Sequence, residues 1–517
     1  MGTQNKRFRT VRDLSALETA RQSIQNSIDE NKDIKQRRQY GQFATSFVLA
    51  DEIISYGLEL LNSDEITFLE PSIGTGAFYS ALLKEAESHN KQIVQATGIE
   101  IDTDYIKGAL SIWSDTNINI FNNDFTHTIP NGKYNFVIAN PPYVRHHYIT
   151  QEEKVTLNHI VKNETNIDIS GLSGLYCYFI LLAHKWLAPG AISGWLVPSE
   201  FMDVNYGDAV KKYLLENVHL LKVHRYDPEN LQFNDALVSS CVIWFKNEII
   251  PDDYEIEFSY SGSHKAPTQS KMIKKSVLLS ERKWTRFPEK GIRNNTQNNI
   301  TIGDYFTIKR GLATGDNKFF ILTKDKIEEL GLDITFFKPI LPSPRYLKTD
   351  IIEADSGGNP KMKPQYYLLD CELTEDEIQK SYPAVWNYLQ SGLSGTSKKY
   401  LCKSRKTWYR QEQRQATRFL CSYMGRGNIG GSPIRFILNL SQAIVTNSYL
   451  MLYPKDSLQQ VINENPEIVY QIWEELKTID AEQIEDEGRI YGGGLKKIEP
   501  KELAKVSCRG LQKICSF

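Results

Sequence analysis

The stretch FLEPSIGTGAF, Phe68 to Phe78, decides how this chain folds. Ile66-Thr67-Phe68-Leu69 reads as a short buried strand, and Ala77 to Glu87 carries a helical pattern. Between them Gly74 and Gly76 make a tight turn in which the backbone can approach a ligand closely. No Gly-Lys-Ser/Thr follows, so the turn is not a phosphate-gripping P-loop. A dinucleotide site and a plain strand-to-helix turn both remain open from this stretch alone.

Working outward, further strand-like runs follow at Val94 to Ile99, Tyr134 to Ala139, Ala191 to Val197, Leu220 to Tyr226 and Val238 to Phe245. Helical patterns such as Tyr178 to Leu187 lie between most of them. The alternation predicts an α/β fold over residues 36–250, a mostly parallel, Rossmann-like sheet with helices on both faces. The second strand ends in Gly98-Ile99-Glu100-Ile101-Asp102, and an acid roughly 20 positions past the glycines suits ribose hydroxyls. The third gives Asn122-Asn123-Asp124-Phe125, where Asp124 suits an exocyclic amine and Phe125 the face of an adenine ring. Open α/β sheets bind ligands at the C-terminal ends of their strands, where all three groups fall.

The 517 residues leave room for more than one core. A net charge of −2 gives no general attraction for polyanions, so any nucleic-acid site must be a local basic patch. The seven cysteines form no C-x-x-C pair and Met1 to Arg7 do not resemble a signal peptide, which suggests reduced thiols in a cytosol. The longest apolar run, around Tyr176 to Ala183, is too short to span a bilayer. Residues 1–35 are polar and charged and read as a helix or arm. Beyond 250 the chain becomes polar and turn-rich, with Ser259 to Lys265 resembling a loop, so residues 251–517 read as a second domain of α+β type. Within it, Lys398 to Arg435 holds ten Lys and Arg against one acid, Glu412. Lys406, Arg410, Arg414 and Arg418 recur every four residues and would share one face of a helix, a surface suited to phosphates.

At the end of the strand Tyr134 to Ala139 stands Asn140-Pro141-Pro142-Tyr143. Two prolines stiffen the backbone between an amide and a ring. The chemistry that needs this is transfer of a methyl group, from a donor such as S-adenosylmethionine, to a planar amine whose lone pair is delocalised. The side-chain oxygen of Asn140 and the carbonyl of Pro141 can accept from the amine and stabilise the charge that develops on it. Tyr143 offers a ring to hold the acceptor.

With these motifs the sequence resembles the gamma group of N6-adenine DNA methyltransferases of type II restriction–modification systems, strongly over 36–247. Glu70, Glu100, Asp124 and Asn140 match that family's cofactor and catalytic positions, and Pro142 and Tyr143 the rest of its signature. The resemblance adds Thr45, in Arg38 to Thr45, as a contact to the methionine part of the cofactor. It adds Phe179 as a ring lining the pocket and Phe233, in Asp227 to Phe233, as a second clamp on the target base. It further implies double-stranded DNA as partner, base flipping, a C-terminal target recognition domain, and a companion endonuclease on a separate chain. Monomeric action in a bacterial cytoplasm follows. Arg145, after the tyrosine, could approach the DNA backbone. Weaker echoes of a recognition domain lie at Lys309 to Lys318, Ile444 to Tyr449 and Tyr491 to Lys497. Ser72-Ile73 departs from the family, which often has small residues there. The alternatives are methylation of another planar amine or amide, in an RNA base or a protein glutamine, and a non-enzymatic DNA-binding module. No metal site is read; His146 and His147 lack a third ligand.

Overall fold

The computed structural model describes residues 11–227, 239–289, 300–425, 434–491 and 495–515. The chain divides into two compact units, residues 1–294 with 491–493, and residues 295–490 with 494–517.

The first unit is built on nine strands: β1 (Glu65–Glu70), β2 (Gln92–Glu100), β3 (Ile118–Asn122), β4 (Tyr134–Ala139), β5 (Leu187–Pro198), β6 (His219–Arg225), β7 (Ser240–Lys246), β8 (Glu255–Gly262) and β9 (Pro267–Lys274). Their order in the sheet is β3-β2-β1-β4-β5-β7-β6-β8-β9. The strands from β3 to β5 run parallel, and β7 lies antiparallel between β5 and β6. The chain steps outward from β1 to β3, then returns to lay β4 on the other side of β1. That reversal opens a crevice at the C-terminal ends of β1 and β4.

Among the described residues, the helices that accompany these strands include α1 (Val11–Asn31), α2 (Ile34–Gln39), α3 (Phe47–Leu60), α4 (Ala77–Ser88), α5 (Thr103–Trp113), α6 (Gln151–Thr165), α7 (Leu175–Leu182) and α8 (Asp208–Glu216). α1 packs on α4 and α5, and α3 on α4, while α6 and α8 pack on α7. Both alternating sides of β7 are buried, so the sheet is covered on both faces. Trp244 of β7, fully buried, sets two close approaches. A Cβ on Gly57 of α3 would lie 2.8 Å from its ring, and one on Gly194 of β5 would lie 2.5 Å away.

Two features differ from the sequence reading. The sheet continues past residue 250 through β8 and β9, so the first unit runs to residue 294. β8 buries only Ile256, Phe258 and Ser259 at its middle, and β9 buries only Ile273. An edge ribbon this polar looks like loop in composition. The expected loop at 259–265 is the end of β8 followed by a turn, with Ser261 and Gly262 at φ of 53° and 69°.

The second unit contains β10 (Phe306–Arg310), β11 (Ile321–Thr323), β12 (Phe337–Ile340), β13 (Ile351–Ile352), β14 (Tyr366–Leu369), β15 (Phe419–Ser422), β16 (Met424–Gly425), β17 (Phe436–Asn439) and β18 (Tyr449–Pro454). A five-stranded sheet orders β10-β18-β15-β17-β13, and a three-stranded one orders β11-β14-β12. With helices such as Pro383–Gly392 and Ile468–Lys477 this is an α+β unit. One core forms around Phe306, Phe419, Leu452 and Trp473, and another around Phe320, Tyr367, Val385 and Tyr409. Among the described residues, no helix is long and apolar enough to cross a membrane.

Trp244→Ala leaves a cavity between α3 and the sheet. Its expected cost is about 3–5 kcal/mol, seen in scanning calorimetry as an earlier transition of the first unit. An unchanged transition would show that this contact does not hold α3 in place.

Candidate active site

A cavity of about 420 Å³ opens at the C-terminal ends of β1, β2 and β4. The expected residues Gly74, Glu100, Ile101, Asp124, Phe125, Asn140, Pro142 and Phe179 all line it.

The floor is the glycine turn. Gly74 has φ of 55°, and a Cβ there would meet nothing within 4 Å, so this position keeps the cavity open. Gly76 serves packing instead and does not line the cavity. Its Cβ would sit 2.5 Å from Nε1 of Trp113, which donates to the Thr75 carbonyl at 2.8 Å. Ile73 is accommodated because Gly98 faces it; a Cβ on Gly98 would lie 2.4 Å from Ile73 Cδ1.

Glu100 ties two turns together. Its Oε2 accepts from the Gly74 N–H at 2.9 Å, and its Oε1 from Ile101 at 3.0 Å and Asp102 at 2.9 Å. Burial raises its carboxyl above the usual range, against the pull of these donors. Ile101 is 64% exposed on the cavity. Asp124 is fixed by Thr126, whose N–H and Oγ1 donate to its Oδ1 at 2.8 and 2.7 Å. Phe125 packs against Phe179, ring centroids 5.1 Å apart.

Glu70 does not line the cavity. It is 2% exposed beneath the floor, and its Oε2 has no hydrogen-bond partner. Burial pushes its carboxyl well above the usual range, while the N–H groups of Tyr79 and Phe78 in the first turn of α4 draw it down. The Glu70 carboxyl group thus accepts from the helix N-terminus, which has no side-chain cap from Gly76.

Asn140 Nδ2 donates to the Phe43 carbonyl at 2.9 Å and to Thr45 Oγ1 at 3.0 Å. A backbone carbonyl only accepts, so Nδ2 must face it, and Oδ1 is the end left for a substrate. Thr45, expected to touch the cofactor, is buried behind Asn140 and orients it. Ser72 Oγ donates to the Asn140 carbonyl at 2.9 Å. Pro141 is buried. Tyr143 is 8% exposed, with its hydroxyl donating to the Leu196 carbonyl at 3.1 Å and its ring 5.6 Å from that of Phe43. Its N–H donates to the Gly41 carbonyl at 3.1 Å. Gly41 has φ of 63°, and a Cβ there would fall 2.2 Å from Tyr143 N. Only glycine lets the segment 40–45 come this close.

The sequence reading missed the walls supplied by the N-terminal segment: Gln25, Tyr40, Gln42 and Phe43, with Tyr105 of α5. Gln25 Oε1 accepts from Thr75 Oγ1 at 2.7 Å, which in turn accepts from Arg21 at 3.1 Å. Lys32 bonds Asp102, and Gln42 Nε2 donates to the same carboxylate at 2.8 Å. Burial raises the Asp102 carboxyl, but these partners outweigh it and hold it below the usual range. The readable signal was Gly41, a lone glycine in a polar run. Phe233 lies outside the described residues. Arg145 is exposed ahead of the short turn His146–Tyr148.

In the second unit the expected basic helix does not form. Helix ends at Lys403, and residues 411–417 have no regular structure. The segment lacks an apolar stripe at helical spacing that could hold it on a core. Instead Tyr409 is buried, Arg410 bonds the Glu372 carbonyl, and Arg414 pairs with Glu412 at 2.6 Å. Lys406, Arg410 and Arg418 remain exposed.

The strand order, with its antiparallel β7 and a cavity beside the glycine turn, defines a class I, Rossmann-like methyltransferase fold. Residues 16–232 match the family of the Eco57I restriction-modification methylase, and residues 281–515 match the C-terminal domain of the type II methyltransferase M.Eco57I. The chain belongs to these Eco57I-type methylases and is a type II restriction–modification methyltransferase. It is 28% identical to the type II methyltransferase M.AccI of Acinetobacter calcoaceticus, over 93% of this chain and 88% of that one. It is 24% identical to the type II methyltransferase M.XamI of Xanthomonas campestris pv. amaranthicola, over 73% and 68%. The solved structure of the Type IIL restriction-modification enzyme MmeI in complex with DNA aligns with 87% of this chain and 61% of that one. Identity there is 14% and the TM-score 0.49.

Gly41→Ala should leave the circular dichroism spectrum unchanged and lower kcat about 100-fold through misplacement of Asn140 and Tyr143. Wild-type turnover would refute the close approach. Glu70 gives a pH prediction. Its folded pKa is raised, so its contribution to stability is fully present below the ordinary carboxylate range and is lost as pH rises toward the folded value. Glu70→Gln should therefore gain thermal stability relative to wild type as pH increases from about 4.5 toward 8. Parallel melting profiles would contradict a buried, uncharged Glu70.

Proposed function

We propose that this chain moves the methyl group of S-adenosylmethionine to N6 of an adenine flipped out of duplex DNA at a specific site, and that the mark shields host DNA from a companion restriction endonuclease. The observation that carries this reading is the Asn140 carboxamide, held one way round by Phe43 and Thr45.

The cavity fits the donor. Gly74 leaves space for close approach, Glu100 suits the ribose hydroxyls, and Ile101, Phe125 and Phe179 provide apolar faces beside the Asp124 carboxylate. Bound there, S-adenosylmethionine supplies an electrophilic methyl carbon. Asn140 Oδ1 and the Pro141 carbonyl accept the two N–H bonds of the adenine amine, drawing the nitrogen toward tetrahedral geometry. They also stabilise the positive charge that grows on it. Asn140 removes no proton in the transfer; the cationic product nitrogen loses its proton afterwards. Tyr143, fixed at its backbone and hydroxyl, and Phe233 hold the flipped ring. An adenine within the stack cannot reach this geometry, so the duplex must release it. Arg145 and the exposed Lys406, Arg410 and Arg418 contact phosphates, and Arg414 acts in the same segment. One chain carries both parts, which supports action as a monomer in a bacterial cytoplasm.

The test incubates purified protein and S-adenosylmethionine with unmethylated bacterial DNA and maps modified bases by single-molecule sequencing. N6-methyladenine in one sequence context is expected, with Asn140→Ala lowering the rate by about 100–1,000-fold while the donor still binds. Absence of modified adenine in the presence of bound donor would overturn the adenine reading.

A further inference from the structure

Away from the cavity, three side chains from separate elements of the first unit converge: Glu52 of α3, His224 of β6 and His264 in the turn between β8 and β9. One ligand-type atom from each lies within 4.8 Å of the other two. His224 is 0% and His264 1% exposed.

Each ring has one nitrogen engaged. His264 Nδ1 lies 2.8 Å from Glu52 Oε1, and the His264 backbone N–H donates to the same oxygen at 2.7 Å. His224 Nδ1 lies 2.9 Å from Ser259 Oγ. The other nitrogen of each ring, Nε2, is buried with no hydrogen-bond partner among the described residues. The rings are 4.4 Å apart, and the rings of Tyr56, Trp244 and Tyr226 lie 5.2, 5.9 and 6.0 Å from that of His264. Two adjacent buried imidazole nitrogens without partners require an explanation beyond packing.

We propose that Glu52, His224 and His264 bind one divalent transition-metal ion of the zinc class. Two imidazole nitrogens and a carboxylate suit zinc, whereas magnesium and calcium need more oxygens than this pocket offers. A histidine binds such an ion through a neutral ring nitrogen and a glutamate through its carboxylate. The Lys222 charge is paired with Glu257 at 2.9 Å while its Nζ donates to the His264 carbonyl. Glu52 keeps 28% of its side chain exposed, which provides the entry path and the freedom to close on the ion. Such an ion would pin the β8–β9 ribbon to α3 and β6.

The experiment uses tag-free, full-length protein, stripped with a chelator and then dialysed against Zn²⁺ or Co²⁺. One bound ion per chain is expected by elemental analysis. Visible absorption from Co²⁺ and a Zn²⁺-dependent rise in the melting temperature should accompany it. His224→Gln should lose the absorption and the rise. Glu52→Ala, at a partly exposed position, should weaken binding at least tenfold if His224→Gln does not fold. Absence of stoichiometric metal in the wild type overturns the proposal, as does binding unchanged in both variants.

Discussion

The pair of hydrogen bonds from Asn140 Nδ2 to the Phe43 carbonyl and Thr45 Oγ1 is the constraint on which the site depends. The two ends of a carboxamide are alike in shape and opposite in hydrogen-bonding character. Fixing the nitrogen end on a main-chain carbonyl turns an ambiguous group into a directed acceptor. The carbonyl in turn is placed by Gly41, whose backbone meets Tyr143 where a side chain would not fit. Residues a hundred positions apart in sequence thereby set one another's geometry.

The same segment explains why the N-terminal helix is ordered. α1 lays Leu14, Leu17 and Ile24 against the core, and beside them Arg21 and Glu18 are buried and paired at 2.6 Å. Glu18 also accepts from Ser80 at 2.6 Å, and Arg21 reaches Thr75 of the glycine turn. A buried polar network of this kind selects one arrangement more sharply than apolar packing does. It holds Gln25 against the cavity and extends through Asp29, which Tyr105 and Arg37 both contact.

Much of this was legible in the sequence, for physical reasons that also mark its limits. β1, β2, β4, β5, β6 and β7 announced themselves because buried strands must be apolar, and the glycine turn because Gly74 needs a positive φ. The cavity residues after β2, β3 and β4 followed from where such sheets bind ligands. β8 and β9 escaped notice because an edge ribbon stays polar. Glu70 was assigned to the ligand although it faces α4, since a motif gives position along the chain and not the direction of a side chain. The spacing of Lys406, Arg410, Arg414 and Arg418 suggested a helix, but charge spacing without an apolar stripe has no core to fold onto. Gln25 and Tyr40 carry no motif; only the fold brings them to the cavity.

The placement of β7 between β5 and β6 has a consequence for synthesis. The edge of β5 stays unpaired until residues 240–246 exist, about fifty residues after β5 ends, which at ~5–20 residues per second is a few seconds of exposure on the ribosome. β5 is apolar through Ala191–Pro198, so the nascent chain carries a sticky strand during that interval. The hairpin of β6 and β7 must then insert as a unit. Joining β7 to β5 is therefore a docking event rather than the addition of one strand to a growing edge, and β8 and β9 are added on the far side of β6 afterwards.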